Sequence, residues 1–329
     1  MTTREQIEHE IRKQEQNGTI LSFPDRDPKY GTWGSASYRG NWSGFIPAYF
    51  ICRLKAETGI AEIFAGSGTT SDVARDMEIP YVGIDLNPNP VRDNIVCMNI
   101  LDDSRELPEG FHSADIQFLH PPYPGINGIR YAGSMYRCDK ATIDSDIQNM
   151  PYEKGMKAVN HAVMRGYSAM KPGAWQVIMV GEIRSHGKYY SMFRDLVIPG
   201  TLHQTFVKQQ HNTMSGRRSY GMKERDFAWT AFEVIAVIRK PSGYEIAFTL
   251  PRTFRTDIRD SRTATWKDVV VSAAHGLGSW FSLDQMYREL EGHDKAKNNN
   301  NVHAKIRQTL YRLCDSGVLV KQNDRYAIA

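Results

Sequence analysis

Six short apolar runs alternate with stretches of helical spacing through the middle of the chain, and this alternation is the strongest constraint on its fold. The runs are Ala61–Ala65, Tyr81–Asp85, Asp115–Leu119, Trp175–Val180, Thr205–Lys208 and Phe232–Ile238. Short apolar runs bounded by turn residues read as strands. Helices between them supply the crossovers that parallel strands need. The pattern predicts an α/β fold with a mostly parallel sheet. Helices are predicted over residues 4–16, Ile46–Lys55, Ser71–Met77 and, most clearly, Tyr152–Met170. That last helix stops at the breaker Lys171-Pro172-Gly173. Residues 17–45, rich in Gly, Ser, Asn, Pro and aromatics, read as loop.

The pattern changes after about Tyr244. Pro251–Thr265 is polar, carries Arg252, Arg255, Arg259 and Arg262, and reads as a linker. Three helices are predicted next: Lys267–His275, Leu283–Glu291 and Val302–Asp315. Asn298–Asn301 reads as the loop before the third, with Asn301 as its cap. Two strands follow, Gly317–Val320 and Arg325–Ile328, around a tight turn at Gln322-Asn323-Asp324. Helix, helix, helix, hairpin is the order of a winged helix. The expected organisation is a helix-and-loop extension at 1–35, an α/β domain at 36–244, a linker at 245–265 and a winged helix at 266–329.

Composition narrows the class. With 41% hydrophobic and 24% charged residues, the 329-residue chain is neither disordered nor collagen-like. No apolar run approaches the ~18 residues that span a bilayer. The charged start, MTTREQIEHEIRKQEQ, lacks the apolar centre of a signal peptide. The expectation is a cytoplasmic protein with no membrane partner. The net charge of +4 is unevenly placed. From Leu250 to Ala329 there are 13 Lys and Arg against 9 Asp and Glu, so the rest of the chain is balanced. A local basic excess points to nucleic acid, or to a solvated face. Cys52, Cys97, Cys138 and Cys314 form no C-x-x-C pair and no zinc-ligand spacing with His. They read as reduced thiols, mostly buried, and no metal is expected.

Two short strings carry chemistry. Glu62-Ile-Phe-Ala-Gly-Ser-Gly-Thr-Thr70 runs from a strand into a helix. Gly66 and Gly68 permit positive φ and close approach of a ligand to the backbone. Tyr81-Val-Gly-Ile-Asp85 follows, a strand ending in an acid that can accept from ribose hydroxyls. There is no P-loop Lys, which excludes an NTPase of that type. The second string is His120-Pro-Pro-Tyr123 at the end of a strand. Consecutive prolines cannot continue a central strand and make a rigid turn there.

FAGSGTT, GIDLNP and HPPY together resemble the amino-group DNA methyltransferases, which modify adenine N6 or cytosine N4. The resemblance covers roughly residues 36–240. It implies a Rossmann-like class I methyltransferase fold and S-adenosylmethionine as cofactor. Glu62, Phe64, Ala65, Gly66, Ser67, Gly68, Thr69, Thr70, Asp85 and Leu86 would form the cofactor motif. Glu62 stands where the family usually has Asp. Asn41 and Phe45 belong to an upstream segment, Tyr38-Arg-Gly-Asn41 to Pro47, that resembles the family's cover over the methionine end. Asp103, or Asp102 beside it, would sit by the cofactor adenine, unless both are solvated loop acids.

His120, Pro121, Pro122 and Tyr123 resemble the catalytic tetrapeptide. An exocyclic amine is a poor nucleophile and gains positive charge as it attacks. Acceptors aimed at its protons stabilise that state. By resemblance these are the His120 side chain and the Pro121 carbonyl, while Tyr123 stacks on a base flipped from the duplex. The family usually has Asp, Asn or Ser where this chain has His120. A neutral imidazole offers one acceptor, in one tautomer. The change also blurs the usual cue for adenine against cytosine. Gly128-Ile-Arg-Tyr131 resembles a further family element, and Val207–Asn212 with Phe232–Lys240 its last hairpin. Arg217, Arg218, Lys223 and Arg225 lie between, as phosphate contacts or as a solvated loop.

The stretch from His293 to Gly317 resembles the winged helix at the end of some methyl-directed restriction endonucleases. Val302, Ile306, Leu310 and Leu313 would face its core. Lys305, Arg307, Gln308 and Arg312 would face DNA, or a protein partner. Three function classes remain: a methyltransferase acting on double-stranded DNA, adenine favoured over cytosine and with a partner restriction endonuclease conceivable; a catalytically inactive DNA-binding protein on the same scaffold; and an RNA or protein methyltransferase.

Overall fold

The computed structural model describes residues 3–25, 27–28, 31–35, 37–125, 131–185, 187–211, 228–241, 248–249, 265–297 and 299–329. The chain divides into two compact units, Met1–Pro251 and Arg252–Ala329. The first begins with α1 (Thr3–Arg12), β1 (Ile20–Leu21) and α2 (Phe45–Leu54). Next come β2 (Ile60–Ile63), α3 (Thr69–Asp76), β3 (Tyr81–Asp85), β4 (Ile95–Cys97) and α4 (Gly110–Ser113). Then follow β5 (Ile116–Leu119), α5 (Lys140–Ser145), α6 (Tyr152–Ala169), β6 (Trp175–Ser185) and β7 (Lys188–Ser191). The unit continues with α7 (Met192–Asp195), β8 (Ile198–Pro199), β9 (Thr201–Gln209), β10 (Phe232–Arg239) and β11 (Phe248–Thr249).

The central sheet runs β1-β9-β10-β6-β5-β2-β3-β4, with β7 paired to β6. Strands β4, β3, β2, β5 and β6 run parallel to one another. β10 is antiparallel to both β6 and β9. This is the mostly parallel, Rossmann-like α/β sheet that the alternation of strands and helices predicts. Successive strand residues face opposite layers. Ala61, Ile63, Leu119, Ile178 and Val180 pack with Val159, Ala162 and Val163 of α6. Ile60, Ile116, Phe118, Val177 and Met179 pack with α1 and α2 through Ile7, Ile11, Ile46 and Phe50. Cover on both faces is why these strands read as near-continuous apolar sequence.

Strand order reverses between β2 and β5. On one side of β2 lies β3, the next strand in the chain; on the other lies β5, three strands later. Such a reversal opens a crevice at the carboxyl ends, where α/β proteins bind ligands. Register decides what meets there. Ile63 pairs with Ile84 of β3 and with Leu119 of β5. Phe64, Asp85 and His120, the next residue on each, are therefore neighbours at one edge of the sheet.

Some local expectations need correction. Ile20–Leu21, read as loop, is an edge strand pairing in parallel with Val207 and Lys208 of β9. Two residues carry no periodicity, and their partner is remote in sequence. β6 runs on to Ser185, past the polar Glu182 and Arg184 that broke its apolar pattern. The cysteines are free but not mostly buried: Cys97 is exposed and the other three are intermediate.

The second unit holds α8 (Trp266–Leu277), β12 (Phe281–Ser282), α9 (Leu283–Leu290), α10 (Asp294–Lys297), α11 (Val302–Asp315), β13 (Leu319–Gln322) and β14 (Arg325–Ile328). β14 lies between β12 and β13 in a three-stranded sheet. Val269, Phe281, Met286, Ile306, Leu310 and Leu313 form its core. Thr265 and Ser282 close capping boxes on α8 and α9. Asn301 precedes α11, but its side chain caps nothing; its own N–H donates to Asn299 Oδ1 at 2.8 Å. Asn323 and Asp324 turn the hairpin with φ of 47° and 60°, as a two-residue type I′ turn needs.

Helix α6 meets the sheet closely at Gly166. The Gly166 carbonyl accepts from Gln117 Nε2 at 3.1 Å. A Cβ there would stand 2.6 Å from Ile63 Cδ1 and closer still to Gln117 Oε1. Gly166→Ala raises helix propensity by about 1 kcal/mol, but overpacking costs about 1–3 kcal/mol. The expected result is a lower urea midpoint; a raised midpoint would show that the layer can yield.

Candidate active site

The chain after β2 turns sharply at the sheet edge. Phe64 has φ of 70°, and Gly66 and Gly68 have 53° and 75°. A bulky residue at positive φ is strained, and here it swings the backbone off the strand toward the crevice. Ile84 O accepts from both Phe64 N and Ala65 N at 3.1 Å, which fixes the turn. Asp85 then braces the loop: it accepts from Gly66 N at 2.8 Å and from Asn87 N at 2.9 Å. Burial raises its carboxyl above the usual value, against those two hydrogen bonds.

Glu62, with 2% of its surface exposed, lies beneath this turn. Thr70 Oγ1 donates to one carboxyl oxygen at 2.7 Å and Tyr81 OH to the other at 2.5 Å. Burial pushes Glu62 up to about 8, although both hydrogen bonds pull the other way.

A cavity opens over these residues. Ile84, Ile100, Leu101 and Ile147 give it apolar walls; Asp85, Asn99, Ser145 and Asp146 give it polar groups. Tyr38, Tyr131 and Tyr136 also line it. Tyr38 and Tyr131 stack with ring centroids 5.6 Å apart. Burial raises the Tyr131 hydroxyl to about 12, so it stays protonated at neutral pH.

Of the residues expected in the site, Asn41, Glu62, Phe64, Ala65, Gly66, Thr69, Asp85, Leu86, His120 and Pro122 line this cavity. The other cofactor-motif residues support it from behind. Gly68 is the left-handed cap of α3. Ser67 donates to Asn41 Oδ1 at 2.5 Å, and Thr70 serves Glu62. Phe45 is a core residue, stacked on Phe23. Asp102 bonds Ser104, and Asp103 is paired with His161 at 2.9 Å, away from the lining. The residues just before them, Asn99 to Leu101, line the cavity instead. Arg217, Arg218, Lys223 and Arg225 lie outside the described residues, as do Gly128 to Arg130. On α11, Arg307, Gln308 and Arg312 are exposed and Lys305 is half-buried. Lys305 Nζ lies 3.3 Å from Gln308 Oε1, and Arg307 donates to Tyr287 OH at 3.2 Å.

His-Pro-Pro-Tyr turns at the end of β5. The His120 ring is stacked against Trp42 at 5.5 Å, and Trp42 also meets Phe118 edge-on. Pro121 is buried and Pro122 reaches the cavity. Tyr123 points inward: its hydroxyl donates to Glu233 Oε1 at 2.5 Å. Its ring lies over Gly181, where a Cβ would come 2.5 Å from Cε2. A glycine inside a strand often marks such a close approach. Lys208 Nζ donates to Glu233 Oε2 at 2.8 Å. His120 Nε2 stands 3.3 Å from Tyr123 OH and 3.6 Å from Glu233 Oε1. Burial would raise the Glu233 carboxyl, but the Lys208 ammonium and the hydrogen bond from His120 hold it well below the usual range.

Sequence reasoning named Tyr38, Lys208 and Glu233 only inside longer segments, with no role of their own, and missed Asp146. A signal existed for Glu233, a charged residue inside the otherwise largely apolar β10; Lys208 stands among other polar residues of β9 and carried none.

No protein-family model and no curated protein matches the chain. Solved structures with some likeness include TrmN from Thermus thermophilus, at 14% identity and TM-score 0.37, over 61% of this chain and 50% of that one. A SAM dependent methyltransferase from Archaeoglobus fulgidus shares 12% identity at TM-score 0.33, over 58% of this chain and 92% of that one. N-methyltransferase NodS from Bradyrhizobium japonicum WM9, in complex with S-adenosyl-l-homocysteine, shares 13% at TM-score 0.30, over 73% of this chain and all of that one. The chain spans half the length of TrmN. Likeness at this level decides nothing about the reaction.

Glu62 yields a pH test. Its folded value of about 8 exceeds the ordinary 4.5. Its contribution to stability is therefore full below the lower value and lost as pH rises through the upper one. Glu62→Gln is neutral throughout and is expected to flatten the decline in urea midpoint across that window. An unchanged slope would mean that Glu62 is ionised in the folded chain.

Proposed function

We propose that this protein is an S-adenosylmethionine-dependent methyltransferase that modifies the exocyclic amine of a flipped DNA base, with adenine N6 preferred. The observation that carries the reading is the meeting of Phe64–Gly66, Asp85 and His120 around one cavity at the strand reversal. The donor set of the cavity fits the cofactor. Asp85 keeps lone pairs for ribose hydroxyls beyond those given to Gly66 and Asn87. Ile84, Ile100 and Leu101 suit the faces of an adenine, with Asn99 for its edge. Tyr38, Tyr131 and Tyr136 offer aromatic surface to a sulfonium cation. When bound, S-adenosylmethionine supplies the electrophilic methyl group.

The chain's own part is largely positioning. The rigid turn at Pro121-Pro122 holds the Pro121 carbonyl and the His120 ring at the sheet edge. Both accept from the target amine as it becomes positive. Trp42 fixes the plane of the imidazole by stacking. The inward set of Tyr123 gives it a bracing role in place of base stacking. The second unit has the element order of a winged helix. In this reading α11 enters the major groove and presents Arg307, Gln308 and Arg312.

The test is incubation of mixed-sequence DNA with methyl-labelled cofactor, followed by nucleoside analysis. N6-methyladenine is expected. N4-methylcytosine would overturn the adenine preference, and label in RNA or protein alone would overturn DNA as the substrate. Normal cofactor binding with no transfer to any acceptor would favour the inactive DNA-binding reading. His120→Ala is expected to lower turnover by about 10²–10⁴-fold while cofactor affinity stays nearly unchanged; lost cofactor binding would refute its role.

Arg307→Ala and Arg312→Ala test the second unit separately. As phosphate contacts, each is expected to weaken DNA binding across sequences and reduce the salt slope by about 1. Unchanged affinity in both would exclude α11 from the DNA interface.

A further inference from the structure

The row behind the His-Pro-Pro-Tyr turn is built across three strands. Glu233 of β10 pairs in register with Gly181 of β6 on one side and Lys208 of β9 on the other. Gly181 leaves room for the Tyr123 ring, Glu233 takes the Tyr123 hydroxyl and Lys208 neutralises Glu233. A buried charge pair of this kind is rarely retained for stability, since desolvation offsets most of its attraction. Its geometry relative to His120 suggests a use.

The hydrogen-bond chain fixes where the protons are. Glu233 accepts on both oxygens, from Tyr123 and from Lys208. The Tyr123 proton is thus committed to Glu233, and its oxygen faces His120 Nε2 as an acceptor. Glu233 Oε1, the second group near Nε2, is an acceptor as well. Nε2 must then carry a proton, and in the neutral ring Nδ1 holds the lone pair. Nδ1 makes no hydrogen bond to another described residue, and His120 lines the cavity.

We propose that Glu233, held as a carboxylate by Lys208, is a positioning residue that acts with Tyr123 to lock His120 in the tautomer whose Nδ1 accepts from the target amine. This rests on the methyltransferase reading above. The step balances: the amine nitrogen forms the new N–C bond, and the S–C electron pair stays on sulfur. The amine proton passes to Nδ1, and the resulting imidazolium lies beside the Glu233 carboxylate. The negative charge absent from His120, where relatives by motif often carry Asp, is thereby supplied one residue further back.

The experiment is ¹⁵N-histidine NMR on the full-length chain without cofactor, joined to single-turnover kinetics. His120 is expected as the Nε2–H tautomer in the wild type; a dominant Nδ1–H form overturns the proposal whatever any variant does. In Glu233→Gln the two tautomers are expected to mix, with transfer slowed roughly 10- to 100-fold, part of what a positioned acid–base group supplies, and cofactor affinity unchanged. Unchanged tautomer and rate in Glu233→Gln also overturn it. If the wild type methylates nothing but its tautomer is Nε2–H and responds to Glu233→Gln, the lock stands and the substrate reading fails.

Discussion

The register between β2 and its two parallel neighbours is the constraint on which the rest depends. Because Ile63 is level with both Ile84 and Leu119, three chain segments leave the sheet side by side. One leaves through a glycine-rich turn, one through an acid and one through a proline-locked histidine. A one-residue slip would exchange the faces of a strand. It would send Glu62 or Phe118 to the wrong layer and separate Asp85 from the Gly66 N–H it braces. The two apolar layers on either side of the sheet make such a slip costly, so the hydrophobic pattern that sets the fold also sets the site.

The features legible in the sequence were those encoded locally. FAGSGTT announces its turn through glycine, HPPY announces its rigidity through proline, and Tyr152–Ala169 announces its helix through spacing and a following breaker. The cavity residues Asn41, Asp85 and His120 were found because each sits in such a string. The remainder depends on pairing between distant segments. β1 exists only because β9 offers it an edge. Glu233 and Lys208 matter only because β10 inserts antiparallel between β6 and β9, which brings them behind His120. Asp102 and Asp103 show the converse: acids in a suitable string are held elsewhere, Asp102 by Ser104 and Asp103 by His161 of α6, and Asn99 to Leu101 before them line the cavity.

The second unit follows the same rule. Its helix α11 matches its predicted span, and Ile306, Leu310 and Leu313 are buried at helical spacing. Arg307, Gln308 and Arg312 are left on its exposed face. Charge alone did not distinguish a reader of sequence from a holder of backbone. In the proposed reading, Gln308, a side chain able to read a base edge, would do so between two arginines.

The central claim is that the cavity over Asp85 is a site for S-adenosylmethionine. Isothermal titration of the full-length chain with S-adenosylhomocysteine, beside Asp85→Asn, tests it most directly. The account predicts one site per chain, weakened in Asp85→Asn without loss of the folded state. Absence of binding, or equal binding in the two proteins, would contradict it.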